Sequence, residues 1–322
     1  MKILVTGGAG YAGSVLVPAL LEQGHSVTVL DLFLYGDYLK EHPHLIKAKG
    51  NVKDVRAELL KGHEAVIHLA CISNDPSFEL NPALGAADFD STVRLLELAA
   101  DMGVKRFIYA SSSSVYGAKP DDVEVTENLA LQPLTGYSEI KAKCEEVVLK
   151  ANGAMVTTAL RPATLCGYAP RQRLDVVVNA LTAQAYCNRA IPVHGGNQYR
   201  ANLHLLDMVR TYLLMLTAPA FLIAGAVFNV GAENVTVLNL AQRVQNIVGG
   251  RIDVDTTMID QRSYKLDSSK IANVLGFVPT HTIDHAILDL RTAFDEGLVP
   301  DAMTSARYYN VQQIKACLSS LS

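Results

Sequence analysis

Short, wholly apolar runs alternate along the first half of the chain with longer segments whose apolar residues recur every three or four positions. The apolar runs predict β-strands at residues 2–5, 26–30, 45–49, 65–68, 107–110 and 157–160. The segments with helical spacing include residues 14–22, 82–101 and 137–150. Apolar strands that alternate with helices form a parallel sheet covered on both faces. The pattern therefore predicts an α/β fold, a doubly wound parallel sheet that binds ligands at the carboxyl ends of its strands.

The alternation becomes irregular after Arg161-Pro162, where turn-forming stretches such as Gly195-Gly196-Asn197 appear. One more buried strand is predicted at residues 227–230 and is expected to rejoin the sheet. We therefore expect a Rossmann-type domain from residues 1–162 plus about 203–233, and a smaller C-terminal cap from about 163–202 and 234–322 that binds substrate. The longest apolar stretch, residues 213–228, is short for a membrane span, so we expect it to hold a helix end, a loop and a strand.

Composition narrows the class of protein. The chain has 322 residues, of which 49% are hydrophobic and 19% charged, and this is enough apolar material for a sizeable core. A net charge of −4 gives no argument for nucleic acid or an anionic membrane as a partner. The five cysteines lack C-x-x-C spacing, so we expect reduced thiols, no metal site and a cytoplasmic location. The N-terminus lacks the cleavage region of a signal peptide, which agrees with that location.

A glycine-rich loop follows the first predicted strand. Gly7, Gly10 and Gly13 form G-x-x-G-x-x-G between a strand and a helix, and Asp31 closes the next strand. In a dinucleotide site these glycines permit the tight turn, the approach of backbone to the pyrophosphate and close helix packing, while the acid binds ribose hydroxyls. Because Asp31 repels a 2′-phosphate and no Arg or Lys follows before Lys40, NAD is favoured over NADP. The expected cofactor-binding residues are Gly7, Gly10, Tyr11, Ala12, Gly13, Asp31, Asn51, Val52, Leu69, Ala70, Tyr137 and Lys141.

A second motif, Tyr137-Ser138-Glu139-Ile140-Lys141, begins a predicted helix. Tyr137 and Lys141 are one helical turn apart, so both side chains face the same site. A nearby ammonium group and an oxidised nicotinamide favour phenolate and lower the pKa of such a tyrosine. The tyrosine can then take a hydroxyl proton while hydride leaves the same carbon. Ser112, just beyond the strand at 107–110, is expected to hydrogen-bond the same substrate oxygen, which makes Tyr137, Lys141 and Ser112 the predicted catalytic residues.

With these motifs in this order, the chain resembles the extended short-chain dehydrogenase/reductase family over nearly its whole length. The resemblance rests on Gly7-x-x-Gly10-x-x-Gly13, His68-Leu69-Ala70, the run from Ser111 to Gly117, Tyr137-x-x-x-Lys141, Arg161-Pro162, the run from Asn202 to Asp207, Phe228-Asn229-Val230-Gly231 and Leu275-Gly276-Phe277-x-Pro279. Members similar to this chain are mostly nucleotide-sugar epimerases, dehydratases, reductases and decarboxylases. The resemblance implies that Tyr137 is the base, that Lys141 tunes it and anchors the ribose, and that Ser112 assists. His68 fits a cofactor contact and a packed structural histidine equally well.

The serine cluster narrows the reaction that the resemblance implies. The 4,6-dehydratases of the family carry glutamate at the position of Ser114, often with aspartate at that of Ser113, and the 3,5-epimerizing reductases carry cysteine at that of Ser114. Serine is a poor carbon base without strong activation. Oxidation or reduction at one carbinol carbon therefore remains. The chain departs from the family pattern at two positions. Asp88 stands where asparagine is common, which puts in question the hydrogen bond that supports this helix. Asn51 stands where aspartate is frequent, which puts in question a contact with the nucleobase.

The substrate side is predicted from polar residues beyond the strand ends. A nucleotide sugar needs its diphosphate neutralised, ideally by bidentate arginine. Arg200 and Arg262 match positions where relatives place such arginines, and Arg171 and Arg173 follow a sheet strand; surface ion pairing is the alternative for all four. The run 71–77 follows the fourth strand and either faces the sugar or is an ordinary loop. The expected substrate-binding residues are Ser73, Asn74, Ser113, Ser114, Arg171, Arg173, Asn179, Arg200 and Arg262.

These observations predict an NAD-dependent nucleotide-sugar 4-epimerase that acts through a transient 4-keto intermediate, with Tyr137 as acid/base. The same residues serve a net 4-dehydrogenase or ketoreductase, in which the cofactor exchanges at each turnover; a decarboxylase and a non-catalytic dinucleotide sensor are weaker alternatives. The helices at 82–101 and 137–150 carry apolar residues, including Val93, Leu96 and Ala100, and relatives pair the equivalent helices into a dimer. A homodimer is therefore expected, with burial inside one subunit as the alternative.

Overall fold

The computed structural model describes residues 1–80, 82–120, 123–257 and 263–319. Its strands are β1 (Lys2–Thr6), β2 (Ser26–Asp31), β3 (Leu45–Lys49), β4 (Ala65–His68), β5 (Arg106–Ala110), β6 (Glu124–Val125), β7 (Val156–Pro162), β8 (Thr164–Cys166), β9 (Ala190–His194), β10 (Tyr199–His204), β11 (Ala226–Val230), β12 (Glu233–Thr236), β13 (Arg251–Asp255) and β14 (Lys265–Leu266). Its helices are α1 (Gly13–Glu22), α2 (Ala57–Leu60), α3 (Asp75–Glu79), α4 (Pro82–Asp101), α5 (Gly136–Lys150), α6 (Val177–Asn188), α7 (Leu205–Thr217), α8 (Ala220–Ile223), α9 (Val237–Val248), α10 (Ser269–Leu275), α11 (Ile283–Asp295) and α12 (Asn310–Ser319).

Seven parallel strands form the central sheet in the order β3-β2-β1-β4-β5-β7-β11. The order reverses beside β1, because the chain first moves outward through β2 and β3 and then returns to the other side of β1 as β4. The carboxyl ends of β1 and β4 therefore flank the crevice in which doubly wound sheets bind ligands. The predicted strands and the Rossmann-type sheet are confirmed, with ends that differ by one or two residues.

Alternation along the strands explains why both faces of the sheet are covered. Ile3 and Val5 of β1 point into the core beneath α1 and α7, whereas Leu4 points into the opposite core beneath α4 and α5. Leu95 on α4 and Val148 on α5 belong to that second core and are fully buried. The two helices thus pack side by side on the face that also carries the Tyr137 motif.

A further group of elements lies beyond the sheet. Strands β8, β10 and β12 form a three-stranded sheet, and β9 pairs with β13. Helices α6, α9 and α11 enclose a separate apolar core that contains Leu181, Leu240 and Ile287. Ile271 of α10 instead packs into the core of the central sheet, although it lies after residue 234. Helix α10 thus packs with the sheet rather than with the cap. The domain boundaries given above stay a prediction.

The apolar stretch at residues 213–228 divides into the end of α7, the short helix α8 and β11. The predicted loop thus contains a helix of one turn, and Pro219 precedes it as N-cap. Among the helices of the described residues, none combines the length and the apolar character that crossing a membrane requires.

A buried ion pair fastens α5 to the sheet. Arg161 on β7 donates from Nε to Glu145 Oε2 at 2.9 Å and from Nη2 to Oε1 at 2.5 Å, and both side chains are at most 5% exposed. Arg161 Nη1 also donates to the Tyr116 hydroxyl, which donates to Asn229 Oδ1 on β11 at 2.7 Å. Buried charge is costly unless it is paired and hydrogen-bonded. The network therefore fixes the register of α5 against β7 and β11.

We expect Glu145→Gln to lower the free energy of unfolding by about 3 kcal/mol, because the Arg161 guanidinium would remain buried without a counter-charge. Thermal and urea unfolding measure the change. Glu146→Gln is the matched control, since Glu146 is the adjacent residue and pairs with Lys150 on the surface. Equal unfolding midpoints for the two variants would show that the buried pair does not stabilise α5.

Candidate active site

The loop between β1 and α1 leaves no space for side chains at two of its glycines. Gly7 has φ +72°, and a Cβ there would lie 2.7 Å from the backbone N of Ala70, which follows β4. A Cβ on Gly13 would lie 2.5 Å from the carbonyl oxygens of Gly7 and Gly8. Gly10 is less confined, with its nearest contact at 3.1 Å. The loop is thus held tight against the crevice, and the N-terminal N–H groups of α1 form an anion site there.

Asp31 ties the end of β2 to this loop. Its Oδ2 accepts a hydrogen bond from Ala9 N at 2.9 Å, and its Oδ1 accepts one from Phe33 N at 2.8 Å. Burial raises the pKa of Asp31, and these backbone hydrogen bonds oppose the shift. An ionised carboxylate offers about four acceptor positions. Asp31 can therefore hold the loop and still accept hydrogen bonds from ribose hydroxyls.

Residues at the ends of β3 and β4 complete this side of the crevice. The Asn51 side chain accepts from Lys53 N at 3.1 Å and so caps the turn that contains the buried Val52. Leu69 N donates to the Thr6 carbonyl at 3.0 Å. His68 is enclosed between the hydroxyls of Thr6 and Thr92, at 2.6 and 3.0 Å, and burial lowers its pKa to about 3. Of the two roles compatible with its sequence, His68 therefore has the packed, structural one.

Two residues predicted at the ligand sites join the glycine loop to the cap. Asn179 is fully buried; its Oδ1 accepts from Gly167 N at 3.0 Å, and its Nδ2 donates to the Tyr11 hydroxyl at 2.9 Å and to the Arg173 carbonyl at 2.8 Å. The Tyr11 hydroxyl donates to the Gly167 carbonyl at 2.6 Å. The amide of Asn179 thus hydrogen-bonds protein groups, and its contact with a substrate stays a prediction. The Tyr11 hydroxyl is engaged in the same network, so Tyr11 would bind the cofactor through its backbone.

Tyr137 and Lys141 lie on the face of α5 that packs against β5. The helix begins with a capping box in which Thr135 and Ser138 satisfy each other's backbone N–H groups. Lys141 Nζ donates to the Ala110 carbonyl at 2.6 Å and lies 6.0 Å from the centre of the Tyr137 ring. Burial raises the pKa of Tyr137 to about 12, while Lys141 and a hydrogen bond from Ser112 oppose the shift. The three residues expected to be catalytic therefore lie together, and with a pKa near 12 the phenol would be protonated at neutral pH.

A small cavity of about 10 Å³ adjoins the lysine, at the lower limit of what holds one water molecule. Cys71, Asp88, Tyr109 and Lys141 are among the residues that line it. Asp88 Oδ2 accepts from Ile72 N at 2.8 Å, so the carboxylate makes the supporting hydrogen bond that the change from asparagine called into question. Burial raises the pKa of Asp88, and Lys141 opposes that shift. The cavity thus brings a carboxyl group and an ammonium group together behind Tyr137.

Lys141 has further neighbours that no sequence pattern predicts. Burial alone lowers its pKa, but contacts with Cys71, Tyr109 and Tyr137 raise it well above its usual range, so the group is an ammonium ion. Burial raises the pKa of the Cys71 thiol. Cys71 lies three residues beyond the end of β4, in the run 71–77, and Tyr109 lies near the end of β5; neither belongs to a motif that indicates a contact with this lysine.

The remaining serines lie beside Ser112. The hydroxyl groups of Ser112 and Ser114 are 2.8 Å apart, and Ser114 N donates to Ser112 Oγ at 3.1 Å. The Ser113 hydroxyl lies 2.8 Å from that of Tyr264, a neighbour that sequence reasoning missed. The cluster therefore presents neutral hydroxyl groups beside Tyr137.

The predicted substrate residues divide into separate places. One group of them surrounds Asp175 and Asn310, the first residue of α12, which hydrogen-bond each other. Asp175 accepts from Asn74 and Arg173. The Asn310 side chain bonds Ser73 and Arg171. Arg200 lies apart from them on β10 and donates to the Tyr199 carbonyl at 2.9 Å. Arg262 lies outside the described residues. Asn310 had no signal in the sequence, because a lone asparagine in the tail has no pattern.

Comparisons with known proteins agree with this geometry. A family model described as the NAD dependent epimerase/dehydratase family matches residues 3–231. The chain is 28% identical to a UDP-glucose 4-epimerase of Corynebacterium glutamicum over 95% of this chain and 96% of that protein. It is 30% identical to a dTDP-glucose 4,6-dehydratase of Streptomyces niveus over 93% of this chain and 91% of that protein.

Solved structures give the same picture. MoeE5 in complex with UDP-glucuronic acid and NAD superposes with a TM-score of 0.81 at 28% identity, over 92% of this chain and all of that one. A UDP-glucose 4-epimerase from Thermotoga maritima with UDP-glucose superposes with a TM-score of 0.82 at 25% identity, over the same shares. Both of these proteins were solved with a nucleotide sugar bound, and MoeE5 also with NAD.

The described residues fit NAD. Gly7 and Gly13 keep the loop open to a diphosphate, and Asp31 stands where a ribose is bound. Arg171, beside the same loop, has a buried Nε without a hydrogen-bond partner. A buried cationic donor of this kind calls for an acceptor such as a phosphate oxygen.

We expect Gly13→Ala to raise the Kd for NAD at least about tenfold, because the new Cβ displaces the loop that binds the diphosphate. Isothermal titration calorimetry of the folded protein measures it. Gly10→Ala tests the same loop with a milder contact, and Gly153→Ala is the control, since its Cβ would meet no atom within 4 Å. Unchanged NAD affinity in both loop variants would contradict the assignment of the site.

Proposed function

The chain belongs to the NAD dependent epimerase/dehydratase family, and we propose that it is a nucleotide-sugar 4-epimerase in which Tyr137 moves the proton of the sugar 4-hydroxyl group. The observation that carries the proposal is the arrangement of Tyr137 with Ser112 on its phenol and Lys141 one turn away. It supplies a proton acceptor and a hydrogen-bond donor for a single carbinol carbon.

The proton follows a short route in this proposal. Lys141, an ammonium ion, stabilises the phenolate of Tyr137, and Ser112 orients the sugar hydroxyl toward it. Tyr137 takes the hydroxyl proton as the carbon becomes a ketone, and it returns the proton when the ketone is reduced from its other face. Bound NAD would accept the hydride and give it back, so that it is needed but not consumed.

The choice of epimerization over dehydration rests on the serine cluster. Loss of water between two sugar carbons needs an acid and a base in addition to Tyr137, and the family's dehydratases carry them at the positions of Ser113 and Ser114. Here both positions are hydroxyl groups that pair with Tyr264 and Ser112. Neutral hydroxyls of this kind do not remove a proton from carbon unaided. A chemistry confined to one carbon therefore has the best support.

We also propose a homodimer in the cytoplasm, built on α4 and α5. Leu96 is buried within the monomer, which removes it from the predicted contact surface, whereas Ala100 is exposed. A groove of about 610 Å³ runs along α5, where Ala142 and Leu149 are among its lining residues. Light scattering measures the molar mass in solution, and a monomer at micromolar concentration would contradict the dimer.

The five free cysteines favour a reducing compartment.

A panel of nucleotide sugars tests the function. The protein is incubated with NAD and each sugar, absorbance at the reduced-nicotinamide band is followed, and the products are identified by NMR. Epimerised sugar without net absorbance change supports the proposal. A stoichiometric rise with a keto product would identify a 4-dehydrogenase, and loss of water from the product would identify a dehydratase.

Tyr137→Phe is expected to reduce turnover by about 10²–10⁴-fold, because the phenol that accepts the proton is gone. The NMR assay measures it, with NAD affinity determined in parallel to establish that the site is intact. Tyr186→Phe is the control, since that hydroxyl hydrogen-bonds Asp295 on the cap. Full turnover by Tyr137→Phe would rule out its catalytic role.

The pH dependence tests the role of Asp88. Burial raises the pKa of Tyr137 to about 12, so activity that needs its phenolate should increase as the pH rises toward that pKa. Asp88→Asn removes a negative charge near Lys141 and Tyr137, which lowers the pKa of the phenol. The part of the pH–activity profile in which activity rises should therefore shift to lower pH by about half a unit to one unit.

The asparagine can still accept the hydrogen bond from Ile72 N, so the variant keeps the local structure. Asp90→Asn is the control, since Asp90 is exposed and lies on α4, the helix that also carries Asp88. If the rising part of the pH–activity profile stays in place in Asp88→Asn, or moves to higher pH, the Asp88 carboxylate does not raise the pKa of Tyr137.

A further inference from the structure

Asn310 lies where three separate parts of the chain meet, and it is 1% exposed. Its Oδ1 accepts from Arg171 Nη2 at 2.6 Å, and its Nδ2 donates to Ser73 Oγ at 2.7 Å. Its backbone N donates to Asp175 Oδ2 at 2.9 Å. One side chain thus contacts both the loop after β4 and the loop after β8.

The Arg171 end of this contact belongs to the cofactor side. Its guanidinium lies 3.8 Å from the centre of the Tyr35 ring, and its backbone N donates to Ser14 Oγ, on the first turn of α1, at 3.3 Å. The positive charge of Arg171 also lowers the pKa of Asp31, although burial dominates and raises it. Arg171 therefore lies between the glycine loop and the loop that follows β2, the two segments that hold a dinucleotide in this fold.

Arg171 is a buried cation with a donor still unused. It is 2% exposed, its Nε has no hydrogen-bond partner, and no carboxylate of the described residues lies within salt-bridge distance of it. The Asn310 amide and the Tyr35 ring contact the guanidinium but leave its charge without an anionic partner. Its planar donors match the oxygens of a phosphate group.

The Ser73 end belongs to the sugar side. Asn74, the next residue, donates to Asp175 Oδ2 at 3.3 Å, and Asp175 Oδ1 accepts from Arg173 Nε at 2.5 Å. These residues form the loop that follows β4 and the loop that enters the cap. They converge on the first residue of α12.

A second contact holds α12 against the cofactor side. Gln313, one turn after Asn310, donates from Nε2 to the Leu34 carbonyl at 2.7 Å. Leu34 belongs to the loop after β2 that also carries Tyr35. The C-terminal helix is therefore attached to both sides of the crevice by polar contacts.

We propose that Asn310 is a positioning residue that holds Arg171 for the diphosphate of NAD and Ser73 for the sugar, so that α12 couples cofactor binding to substrate binding. The proposal rests on the proposed function for its sugar half only. Its cofactor half concerns binding and needs no turnover.

Calorimetry with ADP-ribose and with adenosine separates the diphosphate from the rest of the cofactor. In Asn310→Ala and in Arg171→Met, the Kd for ADP-ribose is expected to rise about tenfold, the loss typical of one hydrogen bond to a charged group, while the Kd for adenosine stays unchanged. The double variant should lose no more than the weaker-binding single variant, since both changes remove the same interaction. Lys315→Ala, on the exposed side of α12, is the control.

Ser73→Ala separates the two ends of the contact. The change removes the acceptor of Asn310 Nδ2 and leaves Arg171 its acceptor, Asn310 Oδ1, so ADP-ribose affinity should stay within a few-fold of the wild type. The KM for the sugar nucleotide turned over in the panel should rise. A change in thermal stability alone, with both constants unaltered, is what a merely structural residue would give, and it would overturn the proposal.

Other results also decide the question. Additive losses in the double variant, or equal losses for adenosine, would show that Asn310 does not act through Arg171 on a diphosphate. If the KM for the sugar nucleotide rises in Arg171→Met while ADP-ribose affinity does not change, Arg171 serves the diphosphate of the substrate and the assignment to NAD is wrong. If wild-type protein fails to bind ADP-ribose, the proposal and the cofactor assignment fall together. Normal binding without turnover would remove the proposed function alone.

Discussion

The architecture of this site depends on burying charge along one face of a helix. Tyr137, Lys141 and Glu145 follow one another at intervals of a single turn on α5, and all three side chains face the sheet. Lys141 and Glu145 are 4% and 2% exposed, so each must find a partner inside the protein. Lys141 takes the Ala110 carbonyl on β5, and Glu145 takes Arg161 on β7. Sliding the helix by one residue would leave two charges unpaired, and this requirement determines where Tyr137 lies.

The same burial shapes the chemistry. Removing a phenol from water raises its pKa, and Tyr137 reaches about 12 although Lys141 lies close by. In the proposed function, Tyr137 can therefore act as a base only while nearby positive charge outweighs desolvation. Asp88 and Lys141 both line the small cavity, and Asp88 stands at a position where the family resemblance implies the neutral amide of asparagine. Its carboxylate accepts the hydrogen bond from Ile72 N, as an amide oxygen could, and when ionised it adds a negative charge beside the lysine.

The sequence predicted the sheet and the position of the site well because both rest on local patterns. Apolar runs mark strands, Gly7 and Gly13 have no room for a Cβ, and the spacing of Tyr137 and Lys141 places both on one helical face. Contacts between distant segments could not be predicted in this way. Asn179 meets Tyr11 across 168 residues, and Asn310 meets Ser73 across 237. Neither asparagine has a periodic neighbour or a motif, and only the folded chain shows what its amide reaches.

These distant contacts share one physical property, which gives them a common role. The cap and the C-terminal helix reach the cofactor loops through hydrogen bonds, one buried, from Tyr11 to Gly167, and one partly buried, from Gln313 to Leu34. Apolar packing tolerates small displacements, whereas a buried donor that loses its acceptor costs about 1–3 kcal/mol. Elements joined in this way are held at one relative position. The proposed reaction, in which a sugar carbon gives up hydride and recovers it on the opposite face, needs a crevice whose walls keep their distance while the substrate moves, and polar contacts provide that constraint where apolar ones would not.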